Sequence, residues 1–465
     1  MADAHHDDTI ALAPLPTGLC ISFGIGTIGV SIVLNTVAVY FPTLMSTVLG
    51  VSPAIAGSML MLSKIYDAFA DLFIGSASDR FQSRWGRRRP FLLAGALMSF
   101  ASLLVIFLAP ALQGTALIVY MALALVLYST GYSLFNVPYL AMPAEMTESF
   151  DQRLRLISFR TAFIGIGQLF SLAVTAGLIQ MGGGGAAGYR LMGAVMATIA
   201  LVTMLAAFFG TRSARFIPRA SDSHRLNLAD IRSLARNRPL ALLMGAKATQ
   251  YIAFGIMQPA NLLFLLNVAK TGYAGMVHLA VAQNLTVFLA QPLWLRAGRR
   301  FGKRACYLAA ILIMIPASLS WYWVGPGVPM WEIWVRAAFF GLASGGSLLM
   351  STAMLPDCTE YDRRRTGQRR EGLISSVYAV NEKIGFALGA LALGWGLSLG
   401  GYIATTGGTI IEQPASAIWA LFAVKAFVPS GALAIGLVLI WAYDLDEAKL
   451  RATKPLVVDR EPIAG

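Results

Sequence analysis

From residue 17 onward the chain alternates between long apolar runs and short polar breaks, and most of its charge sits in the breaks. The apolar runs fall at 17–46, 51–78, 90–110, 114–143, 155–181, 189–211, 239–268, 273–296, 305–325, 330–355, 372–401 and 414–443. Each is roughly 20 residues or longer, enough for a helix to cross about 30 Å of hydrocarbon. None alternates with a period of two, as the strands of a membrane barrel would over about ten residues. The pattern predicts an all-α membrane protein of twelve transmembrane helices. The longest polar stretch, 212–238, separates six spans from six. The predicted organisation is a tail over 1–16, a six-helix bundle over 17–211, a linker over 212–238, a second bundle over 239–443 and a tail over 444–465.

Composition agrees: 57% of residues are hydrophobic and 13% charged, against about a quarter charged in a soluble domain. The net charge of +13 does not indicate a nucleic-acid partner, because the arginines occupy alternate breaks. Arg80, Arg84 and Arg87 to Arg89 follow the second span, and Arg153 and Arg155 the fourth. The arginines from Arg212 to Arg238 fill the central linker. Arg299, Arg300, Lys303 and Arg304 follow the eighth span, and Arg363 to Arg365 the tenth. Beyond Arg190 and Lys270 the other face carries little. This positive-inside asymmetry predicts cytoplasmic termini and linker in a cell inner membrane. The opening MADAHHDDTIALAPLP lacks a basic n-region, so no cleaved signal peptide is expected. Cys20, Cys306 and Cys358 have no framework spacing and are expected as free thiols, Cys358 in a cytoplasmic loop. No H-E-x-x-H, Walker loop or nucleophile elbow occurs, so neither an enzyme nor a cofactor is expected.

The two halves echo each other. FQSRWGRRRPFLLAGAL, from Phe81, returns about half a chain length later as RFGKRACYLAAIL, and MPAEMTE, from Met142, returns as LPDCTE. Repeats of this kind build two related bundles that rock about a site at the bilayer midplane.

One run is not all hydrocarbon. SMLMLSKIYDAFADLFIGSAS holds Lys64, Asp67 and Asp71. The aspartates are one helical turn apart on one face, roughly 5–6 Å between Cβ atoms. A bare aspartate at mid-bilayer costs about 3 kcal/mol on insertion scales, and two on one stripe repel each other unless a cation or proton lies between them. They are expected to face an internal cavity and to hold Na⁺ or H⁺. The competing reading has Lys64 neutralise the pair in a fixed ion bridge. In the eleventh span, VNEKIGFALGALALGWG, Lys383 either snorkels to the interface or faces Asp67 and Asp71 across the halves as a mobile counter-charge. Its neighbour Glu382 points about 100° away around the helix.

KIYDAFADLFIGSASDRFQSRWGRRRPF resembles the signature of the glycoside–pentoside–hexuronide:cation symporter family of the major facilitator superfamily, to which the melibiose permease belongs. LPDCTEYDRRRTGQRREGLISSVYAVNEK is similar to its second signature, and the resemblance runs through all twelve spans. It implies the major facilitator fold, with two pseudo-symmetric six-helix bundles. It also implies that Asp67 and Asp71 bind the coupling cation, helped by a hydroxyl at Ser133 and near Lys383. The family's sugar contacts fall at Ser31, Asn136, Leu140, Leu348 and Arg160. Two carboxylates and two indoles there have become Ser, Asn, Leu and Leu, so galactosides fit poorly. A less polar or differently hydroxylated ligand fits, as does an anionic one held by Arg160. Tyr132 and Tyr378 join Asn136 as expected substrate contacts.

Arg87, Arg88 and Arg89 are expected to pin a cytoplasmic gate against Asp79 or Glu145, with Asp357 its counterpart in the second half and Lys64 beside the cation site. Trp321, Tyr322 and Trp323 read as an interfacial aromatic belt, and MGGGGAAGY at 181–189 as a flexible external loop. The expected function is cation-coupled symport of a sugar, glycoside or related small solute by a functional monomer in contact with membrane lipid. The rivals are a proton-driven exporter or lipid carrier of the same fold, and a non-transporting membrane sensor.

Overall fold

The computed structural model describes residues 15–147, 149–214, 233–234, 236–368 and 370–452. Most of the expected linker and most of both tails therefore lie outside the described residues. The first half consists of α1 (Thr17–Thr43, continued by a wider π turn, Leu44–Val48), α2 (Pro53–Arg80), α3 (Arg89–Phe107), α4 (Gly114–Met146), α5 (Phe150–Leu169, running through a π turn to Met181) and α6 (Gly185–Gly210). The second consists of α7 (Arg238–Asn267), α8 (Gly272–Phe301), α9 (Lys303–Leu319), α10 (Met330–Thr366), α11 (Glu371–Leu399) and α12 (Ala415–Phe422, running through a π turn to Trp441). A short α13, Glu447–Ala452, follows.

Local chemistry sets the helix ends. Ser52 accepts the Ile55 N–H ahead of Pro53 at the start of α2, and Asn237 accepts the Leu240 N–H at 3.1 Å at the start of α7, satisfying donors that a helix N-terminus leaves open. Gly367, in the left-handed region at φ 69°, stops α10, where a side chain would be strained.

The packing pattern repeats when six is added to each helix number. In the first half α1 packs on α5 and α6, α3 on α4 and α6, and α2 on α4. In the second α7 packs on α11 and α12, α9 on α10 and α12, and α8 on α10. The halves meet through α2 with α11, α5 with α8, and α1 with α7. Gly57 of α2 lies so close to α11 that a Cβ there would sit 2.5 Å from the Ala390 carbonyl oxygen.

Among the described residues, ten helices are long and apolar enough to cross a membrane. The other two, α2 and α11, are long enough at 28 and 29 residues. They are also the two that carry Asp67, Asp71, Glu382 and Lys383, and they pack against each other.

Several sequence expectations are corrected. Helix α10 continues well past its apolar run, because the segment from Asp357 to Thr366 stays helical beyond the hydrocarbon-like stretch. Cys358 is therefore not in a loop; it is buried in α10 with its sulfur 3.4 Å from the Tyr443 hydroxyl. The expected external loop 181–189 shrinks to Gly182–Gly184, since α6 already begins at Gly185. Trp321 is not part of an exposed belt: it is buried, while Tyr322 and Trp323 are exposed.

Candidate cation and substrate site

The α2 spacing places Asp67 and Asp71 on the face turned toward α4 and α11. The Ser133 hydroxyl of α4 reaches both, 2.8 Å from Asp67 Oδ1 and 2.6 Å from Asp71 Oδ1. Lys383 of α11 reaches the same two carboxylates from the other half. Its Nζ lies 2.8 Å from Asp67 Oδ2 and 2.5 Å from Asp71 Oδ2, and it donates to the Asp67 carbonyl oxygen at 3.2 Å. Two of the ammonium's three N–H groups donate to Asp71 Oδ2 and to the Asp67 carbonyl oxygen, while Asp67 Oδ2 is an ion-pair contact. Asp67 is 2% exposed.

Lys64 does not hold the pair. Its Nζ lies 3.5 Å from the Tyr128 hydroxyl, and 5.6 and 6.0 Å from the ring centres of Tyr128 and Tyr132. Among the described residues it forms no ion pair with either aspartate, whose ammonium partner is Lys383.

The remaining expected contacts lie on α1, α4, α5, α10 and α11. Ser31 is buried on α1 and would meet any Cβ placed at Gly167 of α5. Tyr132 is buried and stacks on Tyr128, ring centres 6.4 Å apart. Helical spacing puts Ser133, Asn136 and Leu140 on one stripe of α4. Leu140 and Leu348 are 47% and 49% exposed. Arg160 of α5 is half-buried, and its buried Nε has no hydrogen-bond partner among the described residues. Tyr378 accepts from the Tyr251 hydroxyl at 3.1 Å.

The groups expected at a gate form two clusters at the arginine-rich ends of the helices. Glu145 Oε1 takes Arg87 at 2.6 Å and Arg88 at 2.8 Å, and Arg88 also meets Asp79 at 2.6 Å. Asp357 meets Lys303 at 2.6 Å. Arg89 does not join them, because it donates to the Phe208 carbonyl and lies over the Phe208 ring.

Sequence reading missed two further intramembrane lysines. Lys247 of α7 is 1% exposed, donates to Gln250 Oε1 at 3.0 Å and lies 4.5 Å from the Tyr251 ring centre. Gln250 is bonded in turn to Tyr307 at 3.1 Å and Ser347 at 2.5 Å. Lys425, on the π turn of α12, lies over Trp321 and donates to Asn261. The available signal was an amide one turn from Lys247 and a lone lysine inside an otherwise apolar run. No cluster of three or more His, Cys, Asp or Glu able to hold a metal occurs among the described residues. Asp67, Asp71 and Ser133 bring two carboxylates and a hydroxyl together.

Residues 22–447 match the family described as MFS/sugar transport protein. The chain is 30% identical to the glucuronide carrier protein homolog of Escherichia coli K12 over 450 residues, covering 93% of each. It is 25% identical to the inner membrane symporter YicJ of the same organism over 386 residues, covering 82% of each. The crystal structure of the nucleoside transporter NupG superposes with a TM-score of 0.61 at 12% identity, over 92% of this chain and 100% of that one; at that identity the likeness concerns the fold alone.

Proposed function

Because the chain belongs to the MFS/sugar transport family, a set of major facilitator transporters, we propose that it is a cation-coupled symporter of a small anionic solute of sugar type. The coupling ion is Na⁺ or H⁺, held between Asp67, Asp71 and Ser133. One observation carries this reading. A hydroxyl has a single hydrogen, yet Ser133 Oγ lies within hydrogen-bond distance of a carboxylate oxygen on both aspartates. One of those contacts needs a second proton or a cation. Lys383 is one ammonium shared by two carboxylates, and Lys64 forms no ion pair with either among the described residues, so the pair keeps a carboxylate with no ammonium of its own for the travelling ion.

Lys383 then acts as a tethered rival of that ion. When the ion enters, it loosens Lys383 from α2 and changes which arrangement of the halves is favoured. The coupling is a difference in affinity between states, so bound substrate must tighten the ion's binding by the same factor. Glu145 and Asp79 tie the α2–α3 connection to α4 within the first half, and Lys303 holds Asp357 within the second, so each cluster stiffens its own half at the arginine-rich face, which faces the cytoplasm of an inner-membrane carrier working as a monomer.

The substrate's negative charge is argued from Arg160, whose Nε lacks a partner among the described residues, and from the neutral side chains at Ser31 and Asn136. A relative named for glucuronide supports it. Leu140 and Leu348 offer apolar contacts in place of stacking rings. The test is uptake into proteoliposomes of a glucuronide and of the neutral glucoside with the same aglycone. Preference for the glucuronide by at least about tenfold, or 1.4 kcal/mol, is expected. Equal uptake, or preference for the glucoside, contradicts the anionic assignment.

A further inference from the structure

At the face opposite the arginines, α1 ends in a π turn whose last carbonyls are buried. The chain's own next amides return to the first of these: Leu49 N–H donates to Leu44 O at 3.0 Å and Val51 N–H to Met45 O at 2.8 Å. The carbonyls of Ser46, Thr47 and Val48 are left without donors from their own helix. A buried helix end with open carbonyls is costly unless another segment supplies N–H groups.

That segment comes from the other half. Between α11 and α12, Thr405 N–H donates to Ser46 O at 2.8 Å, Gly407 N–H to Val48 O at 2.9 Å and Gly408 N–H to Thr47 O at 2.9 Å. Leu49 and Thr406 pair as an antiparallel bridge. Thr405 Oγ1 adds a bond to Thr47 O at 3.1 Å. The close fit uses glycines on both sides. Gly50, Gly407 and Gly408 have φ of 69°, 69° and 86°, and a Cβ on Gly185 or on Gly408 would strike the other segment.

The same segment is anchored to the second half. Gln413 clamps Ile403 on both sides, accepting its N–H at 2.9 Å and donating to its carbonyl at 3.0 Å. Tyr402 accepts from Asn267 of α7 at 3.2 Å. The strap moves with the second half, while its free edge is bonded to the first.

We infer that residues 402–409 form a backbone latch that locks this face of the transporter shut and must unclip from the α1 π turn in every opening. The lock is made of main-chain groups. Unclipping exposes three carbonyls that need water, so the closed state is favoured until something offsets that cost. The inference rests on the fold and on neither the substrate nor the coupling ion.

The experiment places spin labels at Gln113→Cys and Gly325→Cys, exposed positions on this face of the first and second halves; Gly325 has open space for a side chain. Pulsed dipolar spectroscopy on the purified, full-length carrier reads the distance between them. Thr405→Pro removes the donor to Ser46 and is expected to raise the population of longer distances several-fold. Thr405→Ala keeps that donor and is expected to stay near the parent. Gly408→Ala, which leaves every helix intact, pushes a methyl against Gly185 and is expected to shift the distribution as the proline does. Unchanged distances in both Thr405→Pro and Gly408→Ala overturn the latch. An equal shift in Thr405→Ala and Thr405→Pro overturns its main-chain nature.

Discussion

Lys383 of α11 lies 2.5 Å from Asp71 of α2, an ion pair that joins the two halves at the level of the buried carboxylates. The same ammonium holds Asp67 at 2.8 Å. In the proposed function this charge pair responds both to the ion and to the arrangement of the halves.

Asp71→Asn removes one of the two carboxylates while keeping volume and hydrogen-bonding capacity. The parent carrier is expected to be stabilised by its coupling ion, by about 2.7 kcal/mol at a hundredfold excess over Kd. The variant should lose most of that increment. Thermal unfolding of the purified protein with and without Na⁺, and across pH for protons, measures it.

Lys383→Ala takes away the tethered rival. The buried Asp67 and half-buried Asp71 would then share no ammonium, so the variant should bind its cation at least about tenfold more tightly, or 1.4 kcal/mol. It should also fail to accumulate substrate, because the ion no longer displaces anything. Calorimetric titration with the cation checks the first part. Weaker binding than the parent would show that Lys383 helps to hold the ion.

Ser133→Ala deletes the hydroxyl that touches both aspartates. A hydrogen bond to a charged group contributes about 1.5–3 kcal/mol, so cation affinity should fall by roughly ten- to a hundredfold while the protein stays folded. Direct cation titration distinguishes this from a general loss of stability.

Glu145→Gln breaks a buried cluster in which one carboxylate oxygen serves both Arg87 and Arg88. Removing one partner of a buried pair costs about 3–5 kcal/mol. A clear fall in unfolding temperature is expected even in the presence of ligand. An unchanged melting curve would mean that the cluster has little structural weight.

Much of this was legible in the apolar pattern. Twelve runs predict twelve helices, because few other chains must bury so long a stretch of backbone in oil. Asp67 and Asp71 stood out since their cost in hydrocarbon demands a reason, and the family resemblance linked them to Ser133 and Lys383. Helix ends were less legible. Past Leu355 the charged residues no longer look apolar, yet i,i+3 and i,i+4 pairs such as Glu360 with Arg363 and Arg364 keep α10 helical. Lys247 and Lys425 escaped notice because each is a lone charge in a long apolar run. Their neutral partners, Gln250 with the Tyr251 ring and Asn261 with the Trp321 ring, include amides that read in sequence as interhelical hydrogen bonds or ligand contacts rather than as partners of a lysine. The choice of Lys383 over Lys64 as the partner of the aspartates was not decidable from spacing, since only the packing of α2 on α11 brings Lys383 within reach.

The central claim is that Asp67 and Asp71 hold a travelling ion whose gradient drives transport. Its most direct test is gradient-driven accumulation of a glucuronide in proteoliposomes, with an inward Na⁺ or proton gradient imposed on the parent and on Asp71→Asn. The parent should concentrate the solute above its external level, and the variant should reach equilibrium and go no further. Accumulation by Asp71→Asn to the parent's level would contradict the account.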